Sequence, residues 1–161
     1  VDGTDFQINE PTPFSSKWYS HKFAALQYKV GICIQTGWIV WINGAYAPGH
    51  WPDLSISRDG LTDALDKDEL FLADGTYRDG HGWCVTPTGH NNADQWMKAV
   101  AWAWHECVNG LFKQYKCLSN TFRHHRTKHG SVFMAVANVC QAKLQLENPT
   151  FQQNYDDNYQ N

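Results

Sequence analysis

Three acidic residues stand where carboxylates are useful to chemistry. Asp2 lies at the opening strand, Asp74 follows a short apolar run, and Glu106 sits inside a long apolar and aromatic pattern. Mg²⁺ and similar hard cations take one or two carboxylates together with water and substrate phosphates. Two such ions about 4 Å apart activate water and stabilise the leaving oxygen of a phosphodiester. Three carboxylates brought together without metal would form a costly cluster of like charge. The plain alternative for Asp74 is a turn, because Asp-Gly is a common turn pair. His105, beside Glu106, is suited either to orienting a ligand or to packing.

The elements that must position these residues follow from periodicity. Residues 1–8 alternate loosely and read as a strand ended by Pro11 and Pro13. Tyr28 to Gln35 and Trp38 to Ile42, joined through Thr36-Gly37, read as a hairpin, with a break at Asn43-Gly44. Leu54, Leu61 and Leu65 suggest a helix over residues 51–65, with Pro52 in its first turn. Residues 69–73 read as a buried strand stopped at Asp74-Gly75, and residues 78–92 as loop. The longest helical pattern spans residues 93–118, with Met97, Val100, Trp104, Val108, Leu111, Tyr115 and Leu118 on one stripe. A further helix over residues 131–146 carries Phe133, Val136, Cys140 and Leu144. This order is an α/β plan. One domain over residues 1–147 is expected, followed by a polar tail over residues 148–161.

Composition narrows the function classes. At 42% hydrophobic and 14% aromatic the 161 residues are too apolar for a disordered segment. No apolar run is long enough to span a membrane, and no basic-apolar-small leader precedes the domain, so secretion is not expected. Opening at Val1 rather than Met reads as a fragment, a processed chain or an excised domain. Five scattered cysteines without a CxxC pair suit free thiols in a reducing compartment, nuclear or cytoplasmic. Cys107, Cys117, His124 or His125 and His129 lack the close cysteine pair usual in zinc sites.

The net charge of -3 speaks against nucleic acid until it is divided. Residues 1–106 hold 7 basic and 13 acidic side chains, whereas residues 107–146 hold 6 basic and none acidic. Lys113, Lys116, Arg123, Arg126 and Lys128 are therefore candidates for phosphate contact, with an exposed solvated turn as the alternative.

Four blocks occur in one order: Val-Asp2-Gly-Thr-Asp5, Trp51-Pro-Asp53-Leu, Phe71-Leu-Ala-Asp74-Gly-Thr-Tyr77, and His105-Glu106-Cys-Val-Asn109-Gly. With Leu118-Ser-Asn-Thr-Phe-Arg-His124 downstream, the chain to about Gln141 resembles the nuclease domain of DDE-type transposases, the DDE superfamily endonucleases of the PIF/Harbinger group. The resemblance implies an RNase H-like fold, a mixed β-sheet flanked by helices. It also implies DNA cleavage and strand transfer with Mg²⁺ or Mn²⁺ in a two-metal site. Asp2, Asp74 and Glu106 match the catalytic positions. Asp53 matches a further acidic position, so that Asp53 or Asp74 is the second metal ligand, with the strand end favouring Asp74. Asp5 stands where relatives often carry His, and in an extended segment it faces away from Asp2.

One departure from the family pattern concerns partners. The stretch before His105 reads Ala99-Val-Ala-Trp102-Ala-Trp104, with indoles where relatives tend to carry cations; these stack on unpaired bases or pack in the core. No helical DNA-reading region is present, so a separate DNA-binding protein is expected to supply target specificity, and a homo-oligomer is possible. A non-catalytic, domesticated DNA- or protein-binding fragment on the same fold is the alternative. A tryptophan-rich carbohydrate-binding module is a distant third, at odds with the long helix.

Overall fold

The computed structural model describes residues 1–20, 23–51, 53–58, 60–74, 77, 82–86 and 92–146, without the side chains of 53, 54, 57 and 92–98. The expected tail, residues 148–161, lies outside the described residues.

The centre of the fold is an antiparallel sheet. Strand β1 (Asp2–Gln7) pairs with β3 (Phe23–Ile32), so that Asp2 lies opposite Val30, Gly3 opposite Lys29 and Asp5 opposite Gln27. On the far side of β3 run β4 (Ile39–Tyr46) and, at the other end, the two-residue β2 (Tyr19–Ser20). The hairpin expected from Val30 and its neighbours is present but longer. Asn43-Gly44 does not break it: the register shifts beside Gly44, which takes φ 146, so the pair forms an irregularity within β4.

Helices cover one face of this sheet. Strand alternation aims Phe6, Leu26, Tyr28 and Val30 at a core shared with Val108 and Phe112 of α3 (Asn92–Lys113) and with α5 (His129–Leu146). From α5 come Phe133, Val136, Ala137 and Cys140. Phe133 organises this core, with its ring 3.9 Å from Tyr28, 5.1 Å from Phe112 and 5.3 Å from Phe6. Between α3 and α5 the chain breaks at residues 114–115, forms the single turn α4 (Lys116–Ser119), and returns to the sheet. There Phe122 N–H donates to Gln7 O at 2.8 Å, beside a bridge between Ile8 and Phe122.

A smaller unit adjoins the start of β1. The expected helix over 51–65 is two short helices, α1 (Asp53–Arg58) and α2 (Leu61–Ala64), separated at Gly60 with φ 95. That left-handed backbone is accessible to glycine and interrupts the helical path. Beyond them β5 (Phe71–Leu72) pairs in parallel with β6 (Cys84–Val85), a strand inside the segment read as loop. Leu61, Phe71, Ala73 and Tyr77 form its buried centre, with Val1 and Trp41 packed against it. The nitrogen of Val1 donates to Leu72 O at 2.6 Å, which joins the start of β1 to β5.

Candidate active site

That joint brings two of the acidic candidates together. Asp2 is the first residue of β1, and Asp74 lies two residues beyond β5, after the fully buried Ala73. Ala73 N–H donates to Val85 O and Asp74 O accepts from Tyr77 N–H, so the strand end is held on both sides. Asp2 and Asp74 are both half-buried.

Burial raises the pKa of Asp2, and the charge of Asp74 pushes in the same direction. Opposing them are the Gly3 N–H, which donates to Asp2 Oδ1 at 2.7 Å, and the charge of Lys29. Asp2 lies at the boundary of two cavities. One, of about 540 Å³, is walled by Trp41, Phe71, Trp102, Trp104 and His105. The other, of about 460 Å³, is bordered by Asp5, Ser20, Gln27, Lys29 and Trp51.

Helix α3 reaches the first cavity through His105. Its buried stripe is Ala101, Trp104, His105, Val108 and Phe112, a spacing of one helical face. Steps of about 100° per residue then carry Glu106 off that face, and it is exposed. The Nε2 of His105 is buried without a hydrogen-bond partner among the described residues. Burial lowers its pKa to about 3, so the ring is neutral at physiological pH.

Among the described residues, no three His, Cys, Asp or Glu side chains come together as a metal-holding group. The structure thus brings Asp2 within electrostatic reach of Asp74 and leaves Glu106 one residue away from His105, which lines a cavity together with Asp2. Asp53 begins α1, and its side chain lies outside the described residues. Asp5 points to the opposite face, as its spacing from Asp2 predicts, and accepts from Ser20 Oγ. The cysteines are free, and His129 is committed to the core, its Nδ1 2.8 Å from the Tyr28 hydroxyl.

Lys29 is the residue sequence reasoning missed. It is 1% exposed, and its Nζ lies 5.4 Å from the centre of the Tyr77 ring. A Cβ on Gly3 would sit 2.5 Å from that Nζ, so the absent side chain of Gly3 is what makes room for the ammonium. The available signal was a charged residue flanked by Tyr28 and Val30 in a mostly apolar strand.

The model of the family described as DDE superfamily endonuclease matches residues 1–141. The chain belongs to this family. The match takes in both strand ends that carry Asp2 and Asp74, the whole of α3, and α5 as far as Gln141. No curated protein and no solved structure matches. A DDE-type transposase domain therefore gives the acid pair its context: the family is named for endonuclease chemistry. No helix among the described residues is long and apolar enough to cross a membrane.

Proposed function

We propose that this DDE superfamily endonuclease domain is a divalent-metal-dependent nuclease and strand-transfer module acting on DNA. The observation that carries the reading is the meeting of Asp2 and Asp74, 72 positions apart, at neighbouring strand ends. The mixed strands flanked by helices are compatible with an RNase H-like arrangement. Strands β3 and β4 follow β1 in antiparallel order, and the Val1 nitrogen joins the start of β1 to the separate parallel pair β5 and β6.

The donor set fits a hard cation. Asp2 and Asp74 offer carboxylate oxygens, and the cost of placing their charges together is the cost a cation would offset. Glu106 and Asp53 are the further ligands proposed, with Mg²⁺ or Mn²⁺ as the ion and two ions as the complement. Bound there, such ions supply Lewis acidity, easing deprotonation of water and offsetting charge on a departing 3′ oxygen. The chain itself supplies position. Gly3 N–H fixes one oxygen of Asp2, β5 and β6 fix Asp74, and the larger cavity opens beside Asp2. Lys29 adds a buried positive charge that moderates the field of the acid pair.

The exposed basic residues Lys113, Lys116, Arg123, Arg126 and Lys128 serve DNA backbone contact in this reading. A PIF/Harbinger-type assignment, a separate sequence-reading partner and self-association belong to the same proposal. So does a reducing nuclear or cytoplasmic setting, the kind of compartment in which free thiols persist.

The exposed Glu106 and the lack of a three-residue ligand group among the described residues favour a second reading. In it, the domain has kept the fold and binds DNA without cutting. Nicking of supercoiled DNA with Mg²⁺ or Mn²⁺ separates the two. The nuclease reading expects nicking that is lost in Asp2→Asn, Asp74→Asn and Glu106→Gln. DNA binding without nicking in the wild type, unchanged in all three variants, would establish the binding reading instead.

A further inference from the structure

Charge in this fold is sorted along β1. Asp2 and Asp74 occupy one end of the strand. At the other, Gln7 and Ile8 hold the returning chain at Phe122, and the next residues are Arg123, His124, His125, Arg126, Thr127 and Lys128, all exposed. His125 caps the 3₁₀ turn at residues 126–128 by accepting from Thr127 N–H, so the basic turn has a defined backbone.

A second segment reaches the same end. Ala24 of β3 pairs with Tyr19, which places the 3₁₀ turn at residues 16–18 beside the basic turn. The guanidinium carbon of Arg126 lies 4.7 Å from the centre of the Trp18 ring, and Lys17 Nζ lies 5.2 Å from it. Gly49 N–H donates to Lys17 O at 2.9 Å, and a Cβ on Gly49 would lie 2.6 Å from Ser16 O, so a third segment braces the platform. The nearby carboxylate of Glu10 accepts from the Tyr19 hydroxyl.

We propose that Lys17, Trp18, Arg123, Arg126 and Lys128 form a grip for the phosphodiester backbone of duplex DNA, remote from the acid pair. Trp18 is already engaged by two cations and serves to array them rather than to stack on a base. Asp2 and Ile8 are six residues apart, and steps of about 3.4 Å put the grip roughly 20 Å from the acid pair. The same length of duplex holds about six base pairs. The grip therefore holds flanking duplex about six base pairs from the phosphate at Asp2. The grip rests on the DNA contact proposed above for Arg123, Arg126 and Lys128, to which it adds the braced platform of Lys17 and Trp18; the spacing rests further on the nuclease reading.

Fluorescence anisotropy with a labelled 24-bp duplex across a salt series tests it, using the Asp2→Asn chain so that DNA stays intact. The Arg123→Ala/Arg126→Ala/Lys128→Ala variant is expected to lower the slope of log K against log salt by about 2 to 3. Trp18→Ala, which changes no charge, is expected to weaken binding about twofold to fivefold. Cutting by the wild-type domain should fall when one flank is shorter than about six base pairs. An unchanged slope in the triple variant, or single-stranded DNA bound more tightly than duplex with Trp18→Ala the most damaging change, overturns the grip. Intact anisotropy effects without any cutting would leave the grip standing and sink the nuclease reading alone.

Discussion

Gly3 and Lys29 face each other across β1 and β3, and the lysine ammonium fills the volume that a side chain on Gly3 would take. The distance from Nζ to an added Cβ is 2.5 Å, and Lys29 is 1% exposed, so the ammonium has little room to withdraw. The glycine of the Asp-Gly-Thr block therefore serves packing around a buried cation beside Asp2. Its backbone N–H serves Asp2 directly, at 2.7 Å from Oδ1.

A buried positive charge near Asp2 opposes the binding of another cation there. Lys29→Met keeps most of the stem and removes the charge, so Mn²⁺ should bind more tightly, by roughly threefold to tenfold. A unit charge near such a site is worth on the order of 1 kcal/mol at a protein's effective dielectric. Isothermal titration with Mn²⁺ checks this. Weaker Mn²⁺ binding in a folded Lys29→Met chain would mean that the lysine holds the carboxylates in place instead.

Asp2 carries a pKa above its unfolded value, so the folded state prefers it protonated. The stability it contributes is present below the ordinary carboxylate pKa and is lost as pH rises through the folded one. Asp2→Asn should therefore raise Tm by a few degrees at pH 7 without metal, and leave it nearly unchanged at pH 3. Thermal unfolding at the two pH values measures the difference. A Tm lowered at pH 7 would contradict the burial account of this residue.

His129 works in the opposite direction. It is fully buried against Tyr28, Phe6 and Phe122, and burial lowers its pKa from 6.5 to about 4. The stability held by the neutral ring is complete above pH 6.5 and lost as pH falls towards 4. The loss is at most roughly 3 kcal/mol from this group. Urea unfolding across pH 4–7 should show that decline, flattened in His129→Gln; His105 adds to it in both chains. An equal slope in the variant would assign the acid sensitivity elsewhere.

Periodic elements were legible and contact-dependent ones were not. The Phe133, Val136 and Cys140 stripe predicted α5, and all three are buried, because a long amphipathic helix declares its face locally. Strand β6 has two residues and no pattern, so only its pairing with β5 reveals it. Asn43-Gly44 has the composition of a turn, yet β3 runs alongside and keeps it in the sheet. The α3 stripe was read through Val100, Trp104, Val108 and Leu111; Trp104 and Val108 are buried as expected, but the other buried positions are Ala101, His105 and Phe112 rather than Val100 and Leu111. That small rotation turns His105 inward and Glu106 outward. Asp2 and Asp74 stood out by position and took their roles from the resemblance, while Lys29 was passed over because its partner, Gly3, has no side chain to suggest it.

The strand that carries Asp2 is secured by residues that arrive much later in synthesis. Val1 waits for Leu72, and Ile8 and Gln7 wait for Phe122. Pairings of such long sequence separation carry a loop-closure cost before they return any contact, and they form late in folding. A nascent chain can zip β1 onto β3 early, but until residue 122 has emerged the end of β1 lacks its second anchor. The acid pair itself can meet only after the β5 segment, about 70 residues beyond Asp2, has been translated, and until then a growing chain displays its two carboxylates apart.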